Sequence, residues 1–281
     1  MKILVTGANG FIGTHVVNEA LSLGHEVIAA DFSFNNLSPS AKKCELNLFS
    51  AEPDIFQKIG APDVCIHLAW RQGFVHNSKA HMEDLSKHVT FLQNMIDGGL
   101  KYLSVMGTMH EIGYWEGKID EKTPCNPLSQ YGIAKNALRE SLLLYAKDTA
   151  CALHWLRAYY ITGDEHRSSN IFSKITQAAE NGQNKFPFTS GKNKYDFIDV
   201  DELAKMIVVA SIQRETNGII NVCSGKPISL AEKVENFIRE KNYTIKLDYG
   251  AFPDRDYDSP IVYGDDSKIR MIMQEKIKNE N

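Results

Sequence analysis

Tyr131 and Lys135 are the residues of this chain best placed to do chemistry. They stand four apart in Tyr131-Gly132-Ile133-Ala134-Lys135, which opens a segment with Leu138, Leu142 and Tyr145 at helical spacing. Side chains four apart on a helix lie one above the other on one face. An ammonium beside a phenol favours the phenolate, so the spacing predicts a tyrosine pKa below its usual value of about 10. A phenol tuned in this way exchanges a proton with an alcohol or a carbonyl near neutral pH.

A second constellation begins the chain. The apolar run Lys2 to Thr6 reads as a strand buried on both faces, and Gly7-Ala8-Asn9-Gly10-Phe11-Ile12-Gly13 follows at once. A helical pattern through Val16, Val17, Ala20 and Leu21 closes at Gly24, and a second strand from His25 to Ala30 ends in Asp31. Strand, glycine turn, helix, strand and acid is the order a dinucleotide site requires. Gly7 permits the sharp turn, Gly10 removes a Cβ where backbone approaches pyrophosphate, and Gly13 lets the helix pack close. Free N–H groups at the helix start receive the phosphate charge. Asp31 accepts the adenine-ribose hydroxyls and repels a 2′-phosphate, so NAD is expected ahead of NADP.

With Thr6 before it, the GxxGxxG spacing resembles that of the extended short-chain dehydrogenases/reductases, in particular their nucleotide-sugar epimerase, dehydratase and reductase branch. The likeness runs over about residues 1 to 270. Glu45-Leu46 stands where that family has Asp-Leu against adenine, and Asp63 to Ala69 is similar to its D-V-x-I-H-L-A strand. Leu156 to Gly163 is similar to L-R-Y-F-N-V-Y-G, with Tyr160 in place of the asparagine. Tyr195 to Ala204 resembles R-D-F-I-H-V-D-D-x-A, with Tyr195 and Asp199 replacing the arginine and histidine. Ile219 to Gly225 resembles the late strand N-V-G-S-G, and Arg255, Asp258 and Asp265 keep the spacing R-x-x-D…D.

The resemblance implies an α/β fold: a doubly wound parallel sheet (Rossmann) with a smaller C-terminal substrate-binding lobe. The first domain would cover about 1–165 and the lobe about 166–281, with late strands near 195–222 returning to the first domain. It implies cofactor contacts from Gly7, Asn9, Gly10, Phe11, Ile12, Gly13, Asp31, Phe32, Glu45, Leu46, Leu68, Ala69, Trp70 and Tyr159, with Tyr131 and Lys135 at the nicotinamide ribose. Thr108, five residues before Gly113, would hold the substrate oxygen; the plainer alternative is a hydroxyl capping a turn. Arg71, Met109, His110, Tyr160, Asn170 and Arg255 join Thr108 as substrate contacts. Arg255 would take a diphosphate through its planar guanidinium, or else pair with Asp254 or Asp256 at the surface. His67 is expected to be structural, and His110 to be either a supplementary proton donor or a loop residue facing solvent.

Dehydratases of this family carry Asp-Glu directly after the threonine, where this chain has Met109-His110. Reduction of a nucleotide-linked 4-keto-6-deoxy sugar by NAD(P)H is therefore expected, with Tyr131 as proton donor. A nucleotide-sugar 4-epimerase and a non-catalytic cofactor sensor are the alternatives.

The elements that position these groups need a sizeable core, and 281 residues with 43% hydrophobic content supply one. The 31 basic and 35 acidic residues, net −4, argue against nucleic acid as a partner. No apolar run is long enough for a membrane span, and no signal peptide is expected before the first strand. Five scattered cysteines read as free thiols of a cytoplasmic protein, and no histidine has metal-ligand spacing. Helices near Met82 to Ile96 and Tyr131 to Lys147 carry apolar stripes that the family pairs in a homodimer. The polar end from Lys276 to Asn281 is expected to fray.

Overall fold

The computed structural model describes residues 1–45, 47–254 and 258–280. Five strands open the chain, Lys2–Thr6 (β1), Glu26–Ala30 (β2), Lys42–Cys44 (β3), Val64–His67 (β4) and Tyr102–Thr108 (β5). Helices Phe11–Ser22 (α1), Ile55–Ile59 (α2) and Ala80–Asp97 (α3) alternate with them. Gly117–Ile119 (β6), Gln130–Ala146 (α4), Ala152–Ala158 (β7) and Tyr160–Thr162 (β8) follow. The rest comprises Ile171–Glu180 (α5), Lys185–Pro187 (β9), Lys194–Asp199 (β10), Val200–Ser211 (α6), Gly218–Val222 (β11), Pro227–Ser229 (β12), Leu230–Glu240 (α7), Lys246–Asp248 (β13), Ile261–Gly264 (β14) and Ser267–Glu280 (α8).

Seven of these strands form one parallel sheet in the order β11-β7-β5-β4-β1-β2-β3. Both faces are covered, which is why its strands read as apolar runs and not as alternating ones. On one face α1, α6 and α8 bury Val16, Val17, Leu203, Ile207 and Ile269. On the other, α2, α3 and α4 bury Ile55, Phe91, Leu92, Leu138 and Leu142. This is the doubly wound Rossmann arrangement expected from the sequence. The strand order reverses between β1 and β4, and ligands of such sheets bind in the crevice beyond the strand ends there.

A second, mixed sheet runs β12-β10-β14-β6, with β8 beside β10, and β9 pairs with β13. Its core is aromatic, with Phe172 and Phe237 edge-on at 5.2 Å between ring centres. The chain crosses between the sheets more than once. β6 leaves the first half to pair with β14, and β11 returns to pair with β7. Buried Asp196 on β10 ties this crossing, accepting from Ser224 N and Oγ, Gly225 N and Gly264 N. The C-terminal segment departs from expectation. Instead of fraying from Lys276, the backbone stays helical to Glu280, and Lys278 in the last turn suits the helix dipole.

The opening turn depends on sterics. Gly7 has φ +68°, and a Cβ on Gly13 would lie 2.1 Å from Gly7 O. Gly13→Ala is therefore expected to lower the urea unfolding free energy by about 3 kcal/mol. Gly24, also left-handed but in open space, sets the comparison: Gly24→Ala is expected to cost only about 1 kcal/mol.

Three core histidines are held neutral. His67 Nδ1 meets Thr6 Oγ1 at 2.8 Å and its Nε2 meets His88 Nδ1 at 2.9 Å. His154 Nδ1 meets Ser104 Oγ at 3.1 Å. Burial pushes His67 well below the usual imidazole range, His88 down to about 3 and His154 down to about 4. Above pH 6.5 neither the folded nor the unfolded forms carry these protons, so there is no penalty. As pH falls, the unfolded chain binds protons the folded one refuses. Unfolding free energy measured in urea should thus decline from about pH 6.5 toward 4, by up to about 1.4 kcal/mol per pH unit for each imidazole. His154→Gln should flatten part of that slope.

Candidate active site

The glycine turn lies at the end of β1, against the end of β4. A Cβ on Gly7 would stand 2.7 Å from Ala69 N, so the turn and the start of the Leu68-Ala69-Trp70 segment touch directly. Gly10 caps α1 in extended conformation, leaving the first N–H groups of Phe11 and Ile12 directed outward. Asp31 directly follows β2. Its carboxylate accepts from Asn9 N at 2.9 Å and Phe32 N at 2.7 Å, which fixes it beside the turn. Phe32 is almost wholly exposed, and Glu45 is exposed just past β3. Leu46 lies outside the described residues.

Arg167, from the second half of the chain, reaches over this turn. Its guanidinium donates to Asn9 O at 2.8 Å, Gly10 O at 3.3 Å and Thr14 Oγ1 at 2.6 Å. Nothing in the sequence marks it, because the contact joins residues more than 150 positions apart.

The Tyr131–Lys135 pair sits where β5 ends. Ser129 Oγ accepts from Gly132 N and starts α4. A Cβ on Gly132 would be 2.3 Å from His110 O, so glycine there lets the helix close on the turn after β5. That approach brings the Tyr131 phenol close to the Thr108 hydroxyl. Lys135, one turn on, is buried. Its ammonium donates to Met106 O at 2.8 Å and lies 3.8 Å from the centre of a Trp70 ring.

The expected depression of the tyrosine pKa is overturned. Burial is the largest influence and pushes Tyr131 up to about 12, against the Thr108 hydrogen bond, which lowers it, while the Glu111 carboxylate raises it further. Burial also lowers Lys135 to about 7, with Glu111 pulling it back up. Four-residue spacing put both side chains on one helix; the degree to which water is excluded, a tertiary property, decided the sign.

Histidines surround the pair. His76 stacks on the Tyr131 ring at 5.6 Å, and its carbonyl accepts from Tyr131 N. His110 lies 4.4 Å from His76, and His81 accepts from Trp70 Nε1 at 3.0 Å. His110 is half-buried and turned inward, not into solvent, and burial lowers it to about 4. His67 is fully buried and hydrogen-bonded, as a structural residue should be.

Next to this cluster a cavity of about 600 Å³ opens between the two sheets, lined at its near end by His76, Met109 and His110. Its far wall is aromatic, with Tyr160 and Tyr195 rings 4.4 Å apart and Phe197 beside them. Asn170 lines it too, although its amide is engaged in capping α5 through Ser173 N and donating to Ile161 O. Two of the expected residues do not line this cavity. Arg71 is held by Asp84 at 2.8 Å and Glu83 at 3.5 Å along α3. Tyr159 is buried between the sheets with its hydroxyl on Asn221 Oδ1 at 3.2 Å. Arg255 lies outside the described residues.

Known proteins agree with this geometry. The model of the NAD dependent epimerase/dehydratase family matches residues 3–223. The chain is 45% identical over 273 residues to a dTDP-6-deoxy-L-talose 4-dehydrogenase (NAD(+)) from Aggregatibacter actinomycetemcomitans, covering 94% of this chain and 99% of that one. The fold matches the UDP-glucose 4-epimerase of Thermotoga maritima, solved with UDP-glucose, at a TM-score of 0.81 and 23% identity over 96% of this chain and 92% of that one. It also matches the UDP-glucuronic acid 4-epimerase of Bacillus cereus, solved with UDP-glucuronic acid and NAD, at 0.80 and 20% over 98% and 93%. A glycine cradle closed by sterics, a Tyr–Lys helix docked on the end of β5 and a family match across most of the chain lead to one assignment: the chain belongs to the NAD-dependent epimerase/dehydratase family of extended short-chain dehydrogenases/reductases.

Proposed function

We propose that this protein is an NAD(H)-dependent reductase of the 4-keto group of a nucleotide-linked 6-deoxyhexose. One observation carries the reading most: the Thr108 hydroxyl and the Tyr131 phenol meet beside Lys135, and the two residues that follow Thr108, Met109 and His110, offer no carboxylate for eliminating water. The 45% identity to a 4-dehydrogenase of a dTDP-6-deoxyhexose supports it.

The cradle fits the cofactor, since a Cβ on Gly7 or Gly13 would clash with the turn and the Asp31 carboxylate is fixed beside it. Nicotinamide supplies hydride when bound. Gly7, Gly10 and Gly13 with the α1 N-terminus would take the diphosphate, and Asp31 the adenine ribose. Lys135 would orient the nicotinamide ribose. Thr108 would hold the carbonyl oxygen and Tyr131 would give it a proton. A phenol raised to about 12 is protonated at neutral pH, the form that reduction needs. The aromatic end of the cavity, Tyr160, Tyr195 and Phe197, offers stacking area for the nucleobase.

A homodimer through α3 and α4 belongs to the same reading, since Met82, Ile133 and Leu144 are exposed on those helices. So does a cytoplasmic location, compatible with five free thiols. No described helix is long and apolar enough to cross a membrane.

The test is loss of NADH absorbance with a thymidine-diphosphate-linked 4-keto-6-deoxyhexose. Stoichiometric oxidation is expected, and Tyr131→Phe should lower kcat by about 10³-fold with unaltered NADH affinity. Interconversion of sugars without net NADH oxidation would overturn reduction in favour of epimerisation.

A further inference from the structure

Glu111 stands three residues after Thr108, on the single helical turn Met109–Glu111 that follows β5, and it is completely buried. Its Oε1 accepts from Thr108 N at 2.7 Å. Both oxygens accept from Trp155 Nε1, at 2.9 and 3.0 Å, and Oε2 accepts from Arg157 Nη2 at 3.3 Å and Arg139 Nη1 at 3.5 Å. Arg139 also turns to Glu140, so two cations and two anions balance.

The contact with Thr108 is reciprocal. While Glu111 takes the Thr108 N–H, the Thr108 Oγ1 accepts from the turn, including His110 N at 3.3 Å. That oxygen is thereby tied to the turn, next to the Tyr131 phenol. The Thr108 backbone and hydroxyl oxygen thus keep one place, set by the box that Glu111 closes.

The surroundings are built around this carboxylate. A Cβ on Gly107 would fall 2.2 Å from Trp155 Nε1 and 2.8 Å from Glu111 Oε1, so only glycine fits the strand there. Buried ionic groups of this kind are seldom better for stability than apolar side chains of the same volume, and Nε of both arginines has no partner. A group that contributes little as packing, yet ends on the backbone of Thr108, points to the site it supports.

We propose that Glu111 is a positioning residue of this active site, fixing the Thr108 backbone and hydroxyl against Tyr131 for the substrate oxygen. The inference rests on the reading of Thr108 given above. It concerns geometry, since Glu111 is fully buried and is not among the residues that line the cavity.

A double-mutant cycle tests it, with kcat and KM for the ketosugar and the NADH dissociation constant measured on each protein. Thr108→Ala alone must lower kcat; if it does not, the reading of Thr108 fails and the proposal with it. Given that loss, Glu111→Gln is expected to lower kcat about 100-fold while NADH affinity stays unchanged. In the Thr108→Ala background the same change should alter kcat by less than about threefold. Glu111→Asp keeps the charge but withdraws it by one carbon, and serves if the glutamine variant does not fold; it should follow the same pattern. Equal losses in both backgrounds, or no loss beside an impaired Thr108→Ala, would overturn the positioning role. So would failure of both Glu111 variants to fold, which would make the carboxylate a structural core group.

Discussion

A lysine ammonium kept out of water is the constraint on which the site depends. Lys135 is 2% exposed and loses most of its hydration, a cost that falls on the charged form. Three compensations surround it: the Met106 carbonyl at the end of β5, the Trp70 ring face after β4, and the field of Glu111. Each comes from a different element. The ammonium therefore holds α4 to the two central strands, and wherever it is held, Tyr131 follows one turn earlier.

The same point explains why the two halves of the chain interleave. A cavity between two sheets is useful only if the sheets keep their spacing. β6 and β11 each cross to the other half, and Asp196 binds four donors at the crossing. Arg167 adds a polar contact from the second half onto the glycine turn. The reacting groups therefore stand on strand and helix ends, and the aromatic wall of the neighbouring cavity comes from the second sheet.

Much of this was legible in the residues. The glycine turn could be read because its requirement is steric and local: Gly7 and Gly13 have no substitute at their positions. The places of Asp31, Tyr131, Lys135 and Thr108 in the fold were legible for a related reason, since each occupies a fixed offset from a strand end or along one helix. What escaped depends on distant chain. The tyrosine pKa went the other way because burial outweighs a neighbouring charge. Arg71 and Tyr159 were drawn to Asp84 and to Asn221 by partners that no local pattern reveals. His110 faces inward because His76, far from it in sequence, packs against it. Glu111 did carry a signal, the spacing Thr-x-x-Glu of a capping box, although its partners Arg139, Trp155 and Arg157 became visible only in the fold.

The central claim is that the chain delivers hydride to a sugar carbonyl and leaves it there. It is tested most directly by supplying NADH labelled with deuterium at the transferable position of the nicotinamide, together with a nucleotide-linked 4-keto-6-deoxyhexose. The account predicts a product carrying deuterium at C4, with one label transferred for each NADH oxidised. A sugar product of altered configuration without deuterium, or label retained on the cofactor, would contradict it.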